Sequence, residues 1–246
     1  MEIELEVDDG VAVITLNAPE RRNALTPTMA REMVDALERV DADDSVGALV
    51  IRGADGRFCA GAHTATLSDV ISDPAGEEAY SELSVIYESF TRVGLVKAVT
   101  ISAVRGSAVG AGMNLLMATD LRVISKQARL LSGFLRIGLH PGGGHFVLLS
   151  RLVGREAAAA MALAGEEING ERAAQLGLAW DAVDDAHVED RAMELARKIA
   201  KDPALARAAV RSLRMEVGPP GVDWATAVQT ERAPQMWSMR RREGTS

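Results

Sequence analysis

Short apolar runs alternate with stretches of helical periodicity as far as Pro141-Gly142-Gly143-Gly144, and this alternation predicts an α/β fold built from βαβ units with right-handed crossovers. Two further observations support it. Each of two runs of small residues, Phe58-Cys59-Ala60-Gly61-Ala62-His63 and Gly106-Ser107-Ala108-Val109-Gly110-Ala111-Gly112, follows directly on a β-like stretch. From Phe146 onward helical patterns take over, which gives the α/β core a helical C-terminal region.

Val11-Ala12-Val13-Ile14-Thr15-Leu16 reads as a strand, ended by Asn17-Ala18-Pro19. Thr26 or Thr28 caps a helix whose apolar face is Met29, Met33, Val34, Leu37 and Val40. Ala48-Leu49-Val50-Ile51 is a continuous apolar run, the pattern of a parallel strand covered on both faces. Asp73-Pro74-Ala75-Gly76 reads as a surface loop, and the segment from Glu77 to Val93 as a helix. Val99 to Val104 is a strand, Met113 to Ala118 a buried helix and Leu121 to Ile124 another short strand. Helices are then expected over Arg155 to Leu163, Gly170 to Gln175, Glu189 to Lys201 and Ala204 to Met215, with a break at Gly218-Pro219-Pro220-Gly221.

The chain has 246 residues, enough for one large domain, and 48% of them are apolar, so a sizeable core can be buried. Aromatics are only 4%, which leaves Ala, Val and Leu to fill the interior. A net charge of −8 argues against a nucleic-acid partner. The lone Cys59 excludes an internal disulfide, fits a reducing compartment and reads as a small buried hydrophobe rather than a reactive thiol. Met1 to Asp9 is acidic and carries no signal-peptide pattern, and no apolar run reaches the length of a membrane helix. The expectation is a soluble cytoplasmic protein.

The two small-residue runs carry the chemistry. Where side chains are tiny the chain turns sharply and leaves backbone N–H groups exposed. Two such groups aimed at one point form an oxyanion hole, which stabilises developing negative charge without any reactive side chain.

With Pro19-Glu20-Arg21-Arg22-Asn23-Ala24-Leu25, Asp120 and Gly138-Leu139-His140-Pro141-Gly142-Gly143-Gly144, these runs occur in the order and at the spacing of the crotonase (enoyl-CoA hydratase/isomerase) superfamily, which the chain resembles over nearly its whole length. The resemblance implies a fold of repeated ββα units shared with Clp-type proteases. It implies a core over residues 1–190, a helical trimerisation region over 191–246, and a homotrimer or dimer of trimers. The ligand it implies is an acyl-CoA thioester, with coenzyme A as part of the substrate and no separate cofactor or metal. By position, the hole is the N–H of Ala62 and that of Ala111, and Arg21, Arg22 and Ala60 line the CoA site.

The chain departs from the family at the proton carriers. Its hydratases use two glutamates, and an ungapped match from Gly106 to Gly144 puts Asn114 and Phe134 in their places. Asn orients a group but does not titrate, and Phe only shapes the pocket. A histidine is the natural replacement base. His140, just before the turn that in relatives lies beside the reacting carbon, is the leading choice, ahead of His63, His145 and Asp69, while His187 reads as exposed. In relatives a further helix ends in a basic run that touches the CoA nucleotide. Here the chain stops at Ser246, and Arg240, Arg241 and Arg242 are the cations available in its place. The expected function is an acyl-CoA-transforming enzyme working through a thioester enolate with an unusual site. The second reading is an acyl-CoA-binding protein without turnover, and a distant third is a serine peptidase using Ser107.

Overall fold

A computed structural model describes residues 1–216 and 223–243 of the chain. Strands β1 (Ile3–Asp8) and β2 (Val11–Leu16) form an antiparallel hairpin. Its turn is Asp9-Gly10, with φ of 45° and 76°, the left-handed pair that a two-residue hairpin loop needs and that Asp-Gly adopts readily. The sequence pattern does not predict β1: its period of two, Ile3-Leu5-Val7 against Glu4-Glu6-Asp8, is masked by acidic residues that face water at the sheet edge.

After the hairpin come α1 (Pro27–Ala42), β3 (Ala48–Gly53), α2 (Thr64–Ser72), α3 (Glu77–Leu95) and β4 (Val99–Val104). Next are β5 (Ser107–Val109), α4 (Ala111–Met117), β6 (Leu121–Ser125) and β7 (Arg129–Leu131). The chain continues through α5 (His145–Ala162), α6 (Gly170–Gln175), β8 (Asp181–Val183), α7 (Val188–Ile199), α8 (Pro203–Glu216) and α9 (Trp224–Glu243). The strands form one six-stranded sheet in the order β1-β2-β3-β4-β6-β8, parallel beyond the first pair, and a two-stranded parallel sheet β5-β7. The expected Gly218–Gly221 break lies outside the described residues.

Alternation along the buried strands sorts their side chains into two cores. Ala12, Ile14, Leu16, Leu49 and Ile51 face α1, α3 and α4. Val11, Ala48, Val50, Ile101 and Val123 face Val188, Ala192 and Ala196 of α7. A division at residue 190 therefore falls inside α7, whose apolar stripe belongs to the sheet. α9 in turn packs against α2 and α5 of the same chain.

Several motif residues hold the frame. The buried Asn23 accepts from the Ala18 N–H at 2.9 Å and donates to the carbonyls of Ala54 and Arg57, which clamps its own turn to the loop after β3. Asp120 accepts from both the N–H and the hydroxyl of Thr100, each at 2.8 Å, and from the Arg214 guanidinium, tying β4 and β6 to α8. Thr26 is the α1 cap: its Oγ1 accepts from the Met29 N–H at 3.1 Å and donates to Glu2 at 3.0 Å. Thr26→Ala should therefore cost about 1 kcal/mol, measurable as a lower urea midpoint with unchanged slope. Among the described residues no helix is long and apolar enough to cross a membrane.

Candidate functional site

The two small-residue runs lie side by side. The Cys59 N–H donates to Ser107 O and the Val109 N–H to Cys59 O, both at 3.1 Å, so the loop after β3 and strand β5 run in parallel. Glycines permit this approach. A Cβ on Gly61, whose φ is 96°, would stand 2.7 Å from the Val109 carbonyl oxygen, and one on Gly112 would run into the Cys59 carbonyl. The Cys59 side chain is buried beneath the crossing, and burial pushes its thiol up to about 12, so it is inert.

Leu25 pairs with both neighbours of Ala62: its N–H donates to Gly61 O and its carbonyl accepts from the His63 N–H. The Ala62 N–H therefore points away from Leu25. Ala111 opens α4 after Gly110, which turns at φ 53°, ψ −113°. As the first residue of a helix it has no intrahelical acceptor. Among the described residues neither N–H meets a backbone acceptor, and both residues line one cavity of about 310 Å³.

Leu67, Leu83, Ile86, Tyr87, Phe134 and Leu139 make the apolar wall of this cavity, and Gln235 of α9 reaches it from the C-terminal region. Trp224 holds the start of α9 in place by donating to the Gly143 carbonyl at 3.0 Å and stacking on Phe90. Asn114 lines the cavity too, and so does Ala60. Among the described lining residues none is Asp, Glu or His.

The leading choice of base does not fit this geometry. His140 is half-buried outside the cavity wall, with Nδ1 2.6 Å from the Pro141 carbonyl oxygen and its ring edge-on to Phe146. His145, five residues on where the chain enters α5, reaches the cavity wall through the lining residues Asn114 and Ser132. It is fully buried, with Nδ1 2.7 Å from Asn114 Oδ1 and Nε2 2.8 Å from Ser132 Oγ. Burial pulls its pKa down to about 3, so the ring is neutral at physiological pH. Phe134 stands edge-on to it at 5.0 Å. The spacing of Asn114, Ser132 and His145 in the chain matches no motif, and only the fold brings them together.

Arg21 does not turn toward the cavity either. Its guanidinium is committed to Glu2 at 2.6 Å, to Glu20 at 3.0 Å and to the Ala24 carbonyl, fastening β1 to the loop. Arg22 is exposed, and its carbonyl accepts from the Ala60 N–H at the cavity edge. His63 occupies the N-cap position of α2 without a side-chain capping bond and does not line the cavity, and Asp69 and His187 are exposed. Arg240 is exposed on α9, and the side chains of Arg241 and Arg242 lie outside the described residues.

The family model for enoyl-CoA hydratase/isomerase matches residues 6–231. The chain is 38% identical over 240 residues to the probable enoyl-CoA hydratase EchA14 of Mycobacterium tuberculosis, covering 96% of this chain and 91% of that one. It is 35% identical over 202 residues to 1,2-epoxyphenylacetyl-CoA isomerase of Escherichia coli, covering 80% and 75%. The crystal structure of an enoyl-CoA hydratase from Bacillus anthracis superposes with a TM-score of 0.82 at 25% identity, covering 100% of this chain and 95% of that one.

Proposed function

The chain belongs to the enoyl-CoA hydratase/isomerase family, and from that premise we propose that its cavity takes an acyl-CoA thioester with the carbonyl oxygen on the N–H groups of Ala62 and Ala111. The observation that carries this reading is the pair of backbone donors without backbone acceptors on the wall of an apolar chamber. A thioester carbonyl held by two N–H groups develops negative charge cheaply at oxygen, and the neighbouring carbon becomes acidic. One such donor is worth roughly 3–4 kcal/mol in comparable holes. Arg136, on the cavity wall, and the exposed Arg22, whose backbone meets the Ala60 N–H, are the guanidinium groups suited to the CoA phosphates.

Hydration through paired carboxylates has no support in the cavity wall, which carries Asn114 and Phe134 and no Asp or Glu among its described residues. The reading is therefore an enzyme of this family with a different proton path. That same wall favours a second reading, acyl-CoA binding without turnover. Assembly as a homotrimer or dimer of trimers in the cytoplasm follows from the resemblance and forms part of the proposal.

Calorimetry tests the binding step. An acyl-CoA analogue with CH₂ in place of the thioester sulfur should bind at least tenfold more tightly than the matching free acid. Absence of heat from any such analogue at millimolar concentration would end the assignment. Turnover across a panel of acyl-CoAs then separates the enzyme from the binding protein.

A further inference from the structure

We propose that Ser132, His145 and Asn114 form a hydrolytic triad, and that the protein cleaves an acyl-CoA thioester to the free acid and CoA through an acyl-serine intermediate. The proposal rests on the reading of the cavity as an acyl-CoA site. Its new element is the hydrogen-bond chain that joins Ser132 and Asn114 of the cavity wall through His145.

Direction in that chain is set from one end. Asn114 Nδ2 donates to the Gly142 carbonyl at 2.9 Å, so its Oδ1 is the atom left facing His145. An amide oxygen can only accept, so the His145 Nδ1 carries the proton and donates to it at 2.7 Å. Nε2 then holds the lone pair, and it accepts from the Ser132 hydroxyl at 2.8 Å. This is the polarity a nucleophilic serine requires: hydroxyl to Nε2, Nδ1–H to an acceptor that fixes the ring. An asparagine in place of the aspartate of a serine-protease triad fails when its NH₂ faces the ring and imposes the wrong tautomer. Here the Gly142 carbonyl claims that NH₂ and the tautomer is right.

Position is set by β5 and β7. Val109 pairs with Leu131, and the Gly110 N–H donates to Leu131 O at 3.0 Å. Ser132 therefore follows Leu131 as Gly110 follows Val109, and the Ala111 N–H is the next donor along. Ser132, Ala62 and Ala111 all line the same cavity, whereas Ser107 lies outside its wall and pairs with Arg129 across β5 and β7. Burial keeps the His145 ring neutral, so its lone pair is available. A ring so buried is also a weak base, and asparagine supplies no counter-charge, so turnover slower than that of a Ser-His-Asp hydrolase is expected.

The chemistry balances with water as the only co-reactant. Ser132 Oγ attacks the thioester carbon while its proton passes to His145 Nε2. The tetrahedral oxyanion rests on the Ala62 and Ala111 N–H groups. The C–S bond breaks, the CoA sulfur leaves with the proton from Nε2, and an acyl-serine remains. Water then attacks that ester, giving its proton to Nε2. The C–Oγ bond breaks, Oγ takes the proton back, and the free acid is released.

The test incubates the purified protein with crotonyl-, butyryl-, octanoyl- and phenylacetyl-CoA. It follows CoA thiol with a disulfide reagent and records intact mass after an acid quench. Thiol release at least tenfold above the enzyme-free rate is expected with one or more of these, together with an adduct of the acyl mass that maps to Ser132. Ser132→Ala should bring the release down to the enzyme-free rate, lose the adduct, and bind the CH₂ analogue within threefold of wild type. Should that variant fail to fold, the mapped adduct on the wild-type chain decides alone. Thiol release unchanged in a folded Ser132→Ala, or analogue binding with neither release nor adduct, overturns the triad and leaves the acyl-CoA site standing. Failure to bind the analogue overturns both.

Discussion

Crotonyl-CoA hydration by this protein is expected to run at least about 10²-fold below that of a family hydratase carrying both glutamates, assayed side by side. A general acid or base contributes roughly 10²–10⁴-fold, and the deficit is one or two such contributions. Asn114, which the ungapped match sets at the first position, is buried and fully engaged, donating to the Gly142 carbonyl and accepting from His145. It has no proton to exchange and little freedom to orient a water. At the second, Phe134 turns a ring toward the cavity and packs against His145. No other carboxylate takes their place among the described lining residues. The measurement is the formation of 3-hydroxybutyryl-CoA, separated from substrate and from free CoA so that thioester cleavage is not counted as hydration. A rate equal to the two-glutamate enzyme would show that a proton carrier reaches the substrate by a route the cavity wall does not reveal.

Acid should destabilise the fold through His145. Buried and neutral in the folded chain, the imidazole has its pKa pulled down to about 3 by loss of solvation, against about 6.5 for an exposed ring. The unfolded chain therefore binds a proton that the folded chain refuses. Stability from this group is complete above about pH 6.5 and is lost progressively as pH falls toward 3, by about 5 kcal/mol across that window. Urea unfolding at several pH values should show the slope in the wild type and its loss in His145→Gln, a neutral side chain in the same place. The surface pairs Arg129–Glu167 and Lys126–Asp184 hold their carboxylates low as well, but they are exposed, contribute little, and are common to both chains. Parallel profiles for the two chains would mean that the ring is hydrated or protonated in the native state.

How far the chain could be read follows from the range of the interactions involved. Helix α1, with its Thr26 cap and its Met29-Met33-Leu37-Val40 stripe, is written in local periodicity, and so are the continuous apolar strands β3 and β4. Strands β5, β7 and β8 have three residues each, too few for any period to show, and they exist because the neighbouring chain supplies their hydrogen bonds. Arg21 illustrates the limit for function: a basic pair next to a motif suggests a phosphate, but the Glu2 that neutralises Arg21 arrives from the other end of the β1–β2 hairpin.

By itself, then, the sequence determined the α/β class, the family, and the two glycine-rich runs whose N–H groups line the cavity, because small residues and turn chemistry act over a few positions. Only the tertiary structure decided where each histidine lies. His140 and His145 are near neighbours in the chain, yet His140 turns its ring to Phe146 while His145, at the start of α5, is buried between Asn114 of α4 and Ser132 beyond β7. The direction of an imidazole and the partner of a serine depend on three elements distant in sequence meeting at one point, and no local pattern encodes that meeting.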